Sequence, residues 1–355
     1  MLLFSAPLIA LFSYVFNTPG TLFIYSENVG WQDYIFYFPF WWGLIFLLES
    51  IPYFALVDFV SWLLPKYKHS KYSGGNYNIL NKLKLLIVAF FVLYVPIKTH
   101  FDTTTIRTTN YTISLENLPD EFDNFSIGLI GDVQVDRYTN NSKLDSFKDK
   151  YNKLDSDIVF FAGDIVTSGK TFISEAVDLL CSKKFTFGNF ACLGDHDFWA
   201  DPQSIEQGLV NCGWNFLKDA HQIIEKDSRK ILVTGITHIY SQRITAEKAE
   251  KLMSEAPAAD LKILLVHQPA EFLVQLAAKY NYDIFLAGHT HGGQIVNHFF
   301  GIPYAPSTFE TSYYRGYYKL NNMQIIVTTG IGLSLAPMRY HAPAEVVNIN
   351  LTQKQ

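Results

Sequence analysis

The chain has 355 residues, of which 49% are apolar and 16% aromatic, enough for two structural units and one large core. Its 28 Lys and Arg stand against 33 Asp and Glu, a formal charge of −5. That balance argues against a nucleic-acid partner held by charge, because phosphate backbones are captured by clustered cations. Small or lipid-borne phosphates are not excluded.

Residues 1–100 hold six lysines, four acids and no arginine. Met1 to Phe16 is apolar and uncharged, then broken by Asn17, Pro19 and Gly20. It lacks the basic start and small-residue end of a cleaved signal, so a retained helix is expected. Tyr34 to Leu64 would be about 46 Å long as a helix, against a bilayer core of about 30 Å. Glu49, Ser50 and Pro52 interrupt it, so one span plus an interfacial helix and a tight helical hairpin both fit. Glu49 and Asp58 read as interfacial boundary marks rather than transport groups, no basic partner being evident. A third apolar stretch runs from Ile79 to Ile97.

Lys66 to Lys84 contains five lysines and no acid, the signature of a cytoplasmic loop. Everything after Lys98 should then lie on the extracytoplasmic side. Residues 1–98 are thus expected to be a membrane-anchoring helical region, with the lipid bilayer as a partner, and 99–355 a catalytic domain.

From residue 100 onward short β-runs alternate with amphipathic segments. Strands are expected near 108–115, 126–132, 158–162, 189–193, 230–234, 262–266, 284–287, 324–328 and 345–350. Helices are expected near 142–154, 171–183, 202–211, 245–256 and 270–280. This alternation predicts an α/β domain with a layered core. Cys181, Cys192 and Cys212 are odd in number and form no CxxC pair, so buried free thiols are expected.

The strand ends carry the chemistry. IGLIGDVQ, VFFAGDIV, FACLGDHDFW and IFLAGHTHGG each close on Gly followed by a donor side chain, and ILLVHQP closes on His267. Ligand sites of open α/β sheets form at such carboxyl ends, where glycine permits close approach. The ends present Asp132, Gln134, Asp164, Asp195, His196, His267, His289 and His291, all oxygen or nitrogen donors. In extended backbone, i and i+2 face one way, so Asp132 with Gln134, and His289 with His291, should share a cavity. A two-metal hydrolase needs this set: mixed donors from several elements and a carboxylate able to bridge two ions.

The series Asp132-Val133-Gln134, Gly163-Asp164, Gly194-Asp195-His196-Asp197, His267 and Gly288-His289-Thr290-His291 resembles the calcineurin-like metallophosphoesterase family. The tail from Gly330 to Val346 resembles the membrane-tethered bacterial branch that includes UDP-diacylglucosamine hydrolase-like phosphodiesterases. The resemblance implies a four-layer αββα sandwich behind an α-helical transmembrane region. It further implies hydrolysis of a phosphomonoester or phosphodiester, on a substrate that the anchor suggests is lipid-linked, by a hydroxide bridging two divalent ions.

Asp132, Gln134, His291 and the bridging Asp164 would hold the first ion; Asp164, Asp195, His267 and His289 would hold the second. His196 would be the catalytic residue, stabilising phosphoryl oxygens or protonating the leaving oxygen. Arg339 is expected to bind substrate phosphate or to form a structural salt bridge, and His298 and His341 to line the cleft.

Two positions depart from the family pattern. Gln134 replaces His, a harder and weaker donor that favours manganese or magnesium, with iron or zinc also possible in principle. Asp195 replaces Asn, which adds negative charge. A non-catalytic metal-binding sensor or assembly protein is the alternative these changes leave.

Overall fold

The computed structural model describes residues 28–67, 73–334 and 336–354. The expected helix from Met1 to Phe16 lies outside them. After a π-helical turn at Asp33–Tyr37 come two long helices, α1 (Phe38–Tyr67) and α2 (Ser73–Thr104). Within them Asp33–Leu63 and Ile79–Thr104 are long and apolar enough to cross a membrane. Neither sequence-based division of the first stretch holds, because α1 runs on through Glu49, Ser50 and Pro52. Glu49 is buried and accepts the amide N–H of His298 at 3.0 Å, so it serves the domain contact rather than ending a helix. Asp58, expected to lack a partner, pairs with Lys84 across the two helices. α2 also continues past the expected boundary at residue 98.

The domain is built on two six-stranded sheets. The first has the order β1 (Ile106–Leu115), β16 (Ala344–Gln353), β2 (Ser126–Ile130), β3 (Ile158–Phe161), β4 (Asn189–Ala191), β5 (Trp214–Phe216). The second has the order β14 (Gly316–Leu320), β15 (Met323–Val327), β11 (Ile284–Ala287), β10 (Leu261–Val266), β7 (Arg229–Ile236), β6 (Ala220–Lys226). Neighbours from β2 to β5, and from β7 through β10 and β11 to β15, are parallel.

Side-chain alternation assembles the layers. Ile127, Leu129, Ile158 and Phe160 of the first sheet meet Ile263, Leu265, Ile284 and Leu286 of the second in one buried cluster. The alternate residues Ile130, Val159 and Phe161 face outward onto α3 (Asn141–Asn152), α4 (Ile173–Cys181) and α6 (Pro202–Asn211), a short α5 (Asp195–Ala200) having intervened. Leu264, Val266 and Phe285 face α7 (Ala246–Ser254) and α8 (Glu271–Lys279). Helices thus cover both outer faces, as the αββα expectation requires.

The cysteine expectation fails in part. Cys181 and Cys212, at the ends of α4 and α6, form a disulfide with Cα atoms 5.8 Å apart, and only Cys192 is free and buried. The packing of those two helices brings together residues 31 apart in sequence, which no spacing rule reveals.

The long helices dock on the domain through Trp41, Ile45, Phe91 and Val95, which pack on Ala336, Met338 and Tyr340. Polar ties flank that contact: Asp33 with Arg137 at 3.1 Å, and Asp102 accepting from the His341 amide at 2.6 Å. Arg137 is thus buried and paired.

Candidate metal centre

Parallel strands β2, β3, β4, β10 and β11 all point their carboxyl ends at one corner of the two sheets. Asp132, Asp164, Asp195, His267 and His289 leave those ends in turn. Asp132, Asp164 and His267 bring ligand-capable atoms within 4.8 Å of one another, and so do Asp195, His267 and His289. His267 Nε2 stands 3.3 Å from both Asp164 Oδ2 and Asp195 Oδ2, while its Nδ1 lies 2.6 Å from the Ala162 carbonyl. His289 Nδ1 is 3.0 Å from Asp195 Oδ2. His291 Nε2 lies 3.7 Å from Asp132 Oδ1, and Gln134 Nε2 lies 3.2 Å from Asp164 Oδ2. The chain therefore brings all seven expected donors together.

The pairs reach the cavity by a different route from the one expected. β2 ends at Ile130, and Asp132, Gln134, Asp164, His289 and His291 have φ of 48°, 43°, 62°, 71° and 48°. Left-handed backbone at non-glycine residues costs on the order of 1 kcal/mol or more each and gathers at functional sites. Neighbouring residues hold these turns. The His289 amide sits 3.0 Å from both Asp132 carboxylate oxygens, and Asp197 accepts the amides of Asp164 and Ile165 at 2.8 and 2.7 Å. Glycine is required in two places: a Cβ on Gly194 would sit 2.1 Å from Asp164 Oδ1, and one on Gly288 2.5 Å from Asp132 Oδ2.

Burying so many acids makes the site strongly cation-seeking. Burial raises the Asp132 carboxyl to about 7, against the pull of His267. For Asp164 and Asp195 burial acts upward too, but His267, joined by His289 at Asp195, holds both below the usual carboxylate range. Burial would lower His267, yet Asp164 and Asp195 push it well above its ordinary value. His289 rises to about 9 because hydrogen bonds to Asp195 and Glu310 outweigh its burial. His291 behaves oppositely: burial and the Arg339 charge hold it well below the usual imidazole value, neutral as a ligand must be.

The donor set fits divalent cations. His291 Nε2 and Gln134 Oε1 are buried and have no hydrogen-bond partner. An orphaned buried acceptor costs about 1–3 kcal/mol, so two of them beside three carboxylates call for a positive ligand.

Arg339 requires a correction. It is wholly buried, and its N–H groups go to the carbonyls of Gly332, Thr329, Ala342 and His291 at 2.8 to 3.3 Å. It neither faces the cavity nor pairs with an acid, but clamps the His291 loop to the carboxyl-terminal segment. His298 and His341 also leave the cleft, meeting each other edge to face with ring centres 4.6 Å apart; His341 in turn meets Tyr94 of α2. His196 does border the cavity. Its amide donates to Asp164 Oδ1 at 2.8 Å and its Nδ1 lies 2.6 Å from the Thr167 carbonyl, which leaves Nε2 near Ser334 Oγ at 3.4 Å.

Three residues absent from the expected set also touch the site. Glu310 Oε1 lies 3.1 Å from His289 Nε2, Tyr240 gives its amide to Asp195 at 2.6 Å, and Gln268 Nε2 donates to Asp195 Oδ2 at 2.8 Å. Gln268 follows His267 directly, but Tyr240 and Glu310 come from loops with no local pattern.

An α/β sandwich with acids and imidazoles gathered at its strand ends defines a candidate metallohydrolase. Residues 125–293 match the model of the calcineurin-like phosphoesterase family. The uncharacterized metallophosphoesterase YkuE of Bacillus subtilis is 27% identical over 250 residues, covering 69% of this chain and 85% of its own length. An uncharacterized metallophosphoesterase of Aquifex aeolicus is 27% identical over 75% of this chain and 99% of its own. A zebrafish "transmembrane protein with metallophosphoesterase domain" is 26% identical over 68% of this chain, which spans only 56% of that longer relative. Family match and relatives together support the calcineurin-like metallophosphoesterase family for this chain.

Proposed function

We propose that the chain hydrolyses a phosphomonoester or phosphodiester at a centre of two divalent ions, manganese foremost. Asp132, Gln134, His291 and Asp164 would hold one ion, and Asp164, Asp195, His267 and His289 the other. The observation that carries this reading is the pair of orphaned donors, His291 Nε2 and Gln134 Oε1, beside the three aspartates. Ions held there would supply a nucleophile from water near neutral pH and offset phosphoryl charge.

In the overall reaction water gives its hydroxyl to phosphorus and the leaving oxygen takes a proton. His196 would make that proton transfer: the Thr167 carbonyl fixes its ring through Nδ1, and Nε2 lies beside Ser334 Oγ at the cavity wall. The resemblance of the tail to UDP-diacylglucosamine hydrolase-like enzymes supports a diester carrying a lipid.

We further read the protein as integral to a membrane with the domain on the extracytoplasmic side. Two spanning-length helices, the five lysines of Lys66 to Lys84, the Cys181–Cys212 disulfide and the transmembrane description of the zebrafish relative support this.

The test is hydrolysis of bis(p-nitrophenyl) phosphate by the purified full chain with added manganese, alongside elemental analysis. Turnover that rises with manganese and is lost in Asp164→Asn supports the reading. Bound metal without turnover on any mono- or diester would favour the non-catalytic sensor.

A further inference from the structure

The candidate centre opens into a cavity of about 570 Å³, within the usual size of a small-molecule site. Asp164, Asp195, His196, His289 and His291 form one end. The opposite wall comes from α1 itself, through Trp41, Leu44, Ile45 and Leu48, with Ile295 and Tyr304 beside them. A reaction centre for a free sugar or nucleotide phosphate has no use for an apolar wall taken from a membrane-spanning helix.

The rim points the same way. Next to α1 lies the hairpin of β12 (Asn297–Phe299) and β13 (Ile302–Tyr304), joined to it by the Glu49–His298 hydrogen bond and by Tyr53 against Phe300, ring centres 5.6 Å apart. Its Phe299, Phe300 and Ile302 are 47, 58 and 70% exposed, an apolar tip too large for water but suited to a bilayer surface. Inside the cavity, Asn297 is 5% exposed and its Oδ1 has no partner. Beyond His289 and Glu310 lies a second pocket of about 170 Å³, lined by His238, Arg243, Gln268 and Thr311. His238 there is 7% exposed with Nδ1 unpartnered. The centre thus stands between an apolar chamber and a polar one that share His289 and Glu310.

We propose that the larger cavity takes the hydrocarbon chain of a membrane-resident phosphoester, entering sideways between α1 and the β12–β13 hairpin, while its polar headgroup occupies the smaller pocket. The inference rests on the hydrolytic reading above and specifies its substrate as an amphiphile that need never leave the bilayer. Every methylene buried in such a chamber adds to binding, so chain length should register strongly in kcat/KM.

The experiment compares methyl and hexadecyl p-nitrophenyl phosphate with the full chain in mixed micelles containing manganese. The hexadecyl ester should be cleaved with a kcat/KM at least about tenfold higher. Leu44→Trp and Leu48→Trp, which fill the chamber, should each reduce that ratio several-fold. In parallel, hexadecyl phosphate carrying a terminal diazirine should label peptides of α1 or the hairpin on illumination. Manganese-dependent turnover of both esters with equal efficiency overturns the chain site and leaves hydrolysis standing. A preference untouched by both variants reflects partition into micelles and also overturns it, as does labelling confined to other surfaces. Turnover of neither ester defeats the hydrolytic reading, and the chain site falls with it.

Discussion

His289 stands between two acids, with Nδ1 3.0 Å from Asp195 Oδ2 and Nε2 3.1 Å from Glu310 Oε1. The Glu310 oxygen also accepts the Tyr240 hydroxyl at 2.8 Å, so its position is fixed from two sides. A carboxylate on the far nitrogen of a ligating histidine sets its tautomer and strengthens it as a donor, and losing such a partner typically costs 10–100-fold in metal affinity or activity. Glu310→Gln keeps the shape and removes the charge. Its manganese concentration for half-maximal activity should rise about tenfold or more, with kcat at saturating metal changed less. A manganese titration of parent and variant checks this, and coincident curves would show that Glu310 does not support the ligand.

His196 has no place in either donor cluster. Its ring is fixed through Nδ1, and His196→Ala leaves the backbone amide that holds Asp164 in place. Turnover of a phosphodiester should therefore fall by about 10²-fold or more, while bound metal, read by elemental analysis, stays at the parental level. Metal lost together with activity would make His196 a structural or ligating group instead.

Strands such as 158–161 and 284–287 were legible as solid apolar stretches buried on both faces, and edge strand β1 was legible although its side chains are mixed. Edge strands β6 (AHQIIEK) and β14 (GYYKL) mix polar and apolar side chains at intermediate burial, and their pattern says little without the neighbouring strand. The donors could be read because each sits one to four residues after a strand, all but His267 on a glycine-marked turn. Glu310 and Tyr240 could not, since only the three-dimensional path of two loops carries them to His289 and Asp195. Arg339 misled for a related reason: a lone arginine near the expected ligands suggests phosphate binding, and only the ring of carbonyls around it reveals a clamp. The strained φ values at Asp132 and His289 likewise replace the pleat that sequence spacing alone would suggest.

Lys143 on α3 is 8% exposed, and its Nζ has no hydrogen-bond partner. Burial, reinforced by the nearby Arg339 charge, lowers its amine from the usual 10.5 to about 7. Between those values the unfolded chain binds a proton that the folded chain does not, so this group's cost to stability is full at pH 7 and below. It shrinks as pH rises toward 10.5. Lys143→Met should therefore raise stability at pH 7 by about 2 kcal/mol, with the gain vanishing near pH 10.5. Thermal melts of parent and variant across that range test it; a gain independent of pH would trace to packing and not to the charge.

Cys181 and Cys212 close a loop of 31 residues that runs from the end of α4 through β4, α5 and α6, and with them the turn bearing Asp195 and His196. On chain-entropy grounds a cross-link of that length stabilises by roughly 3.7 kcal/mol. Cys181→Ser with Cys212→Ser should lower the midpoint of denaturation accordingly, while Cys192, buried away from both, stays unreactive until the chain unfolds. The same bond reports on placement, since disulfides persist in oxidising compartments and are rare in the cytosol. Chain trapped from intact cells by rapid acid quench and then alkylated without reductant should carry label on Cys192 alone. Label on all three cysteines would mean a reducing surrounding, and the extracytoplasmic orientation inferred from the lysines of Lys66 to Lys84 would have to be reversed.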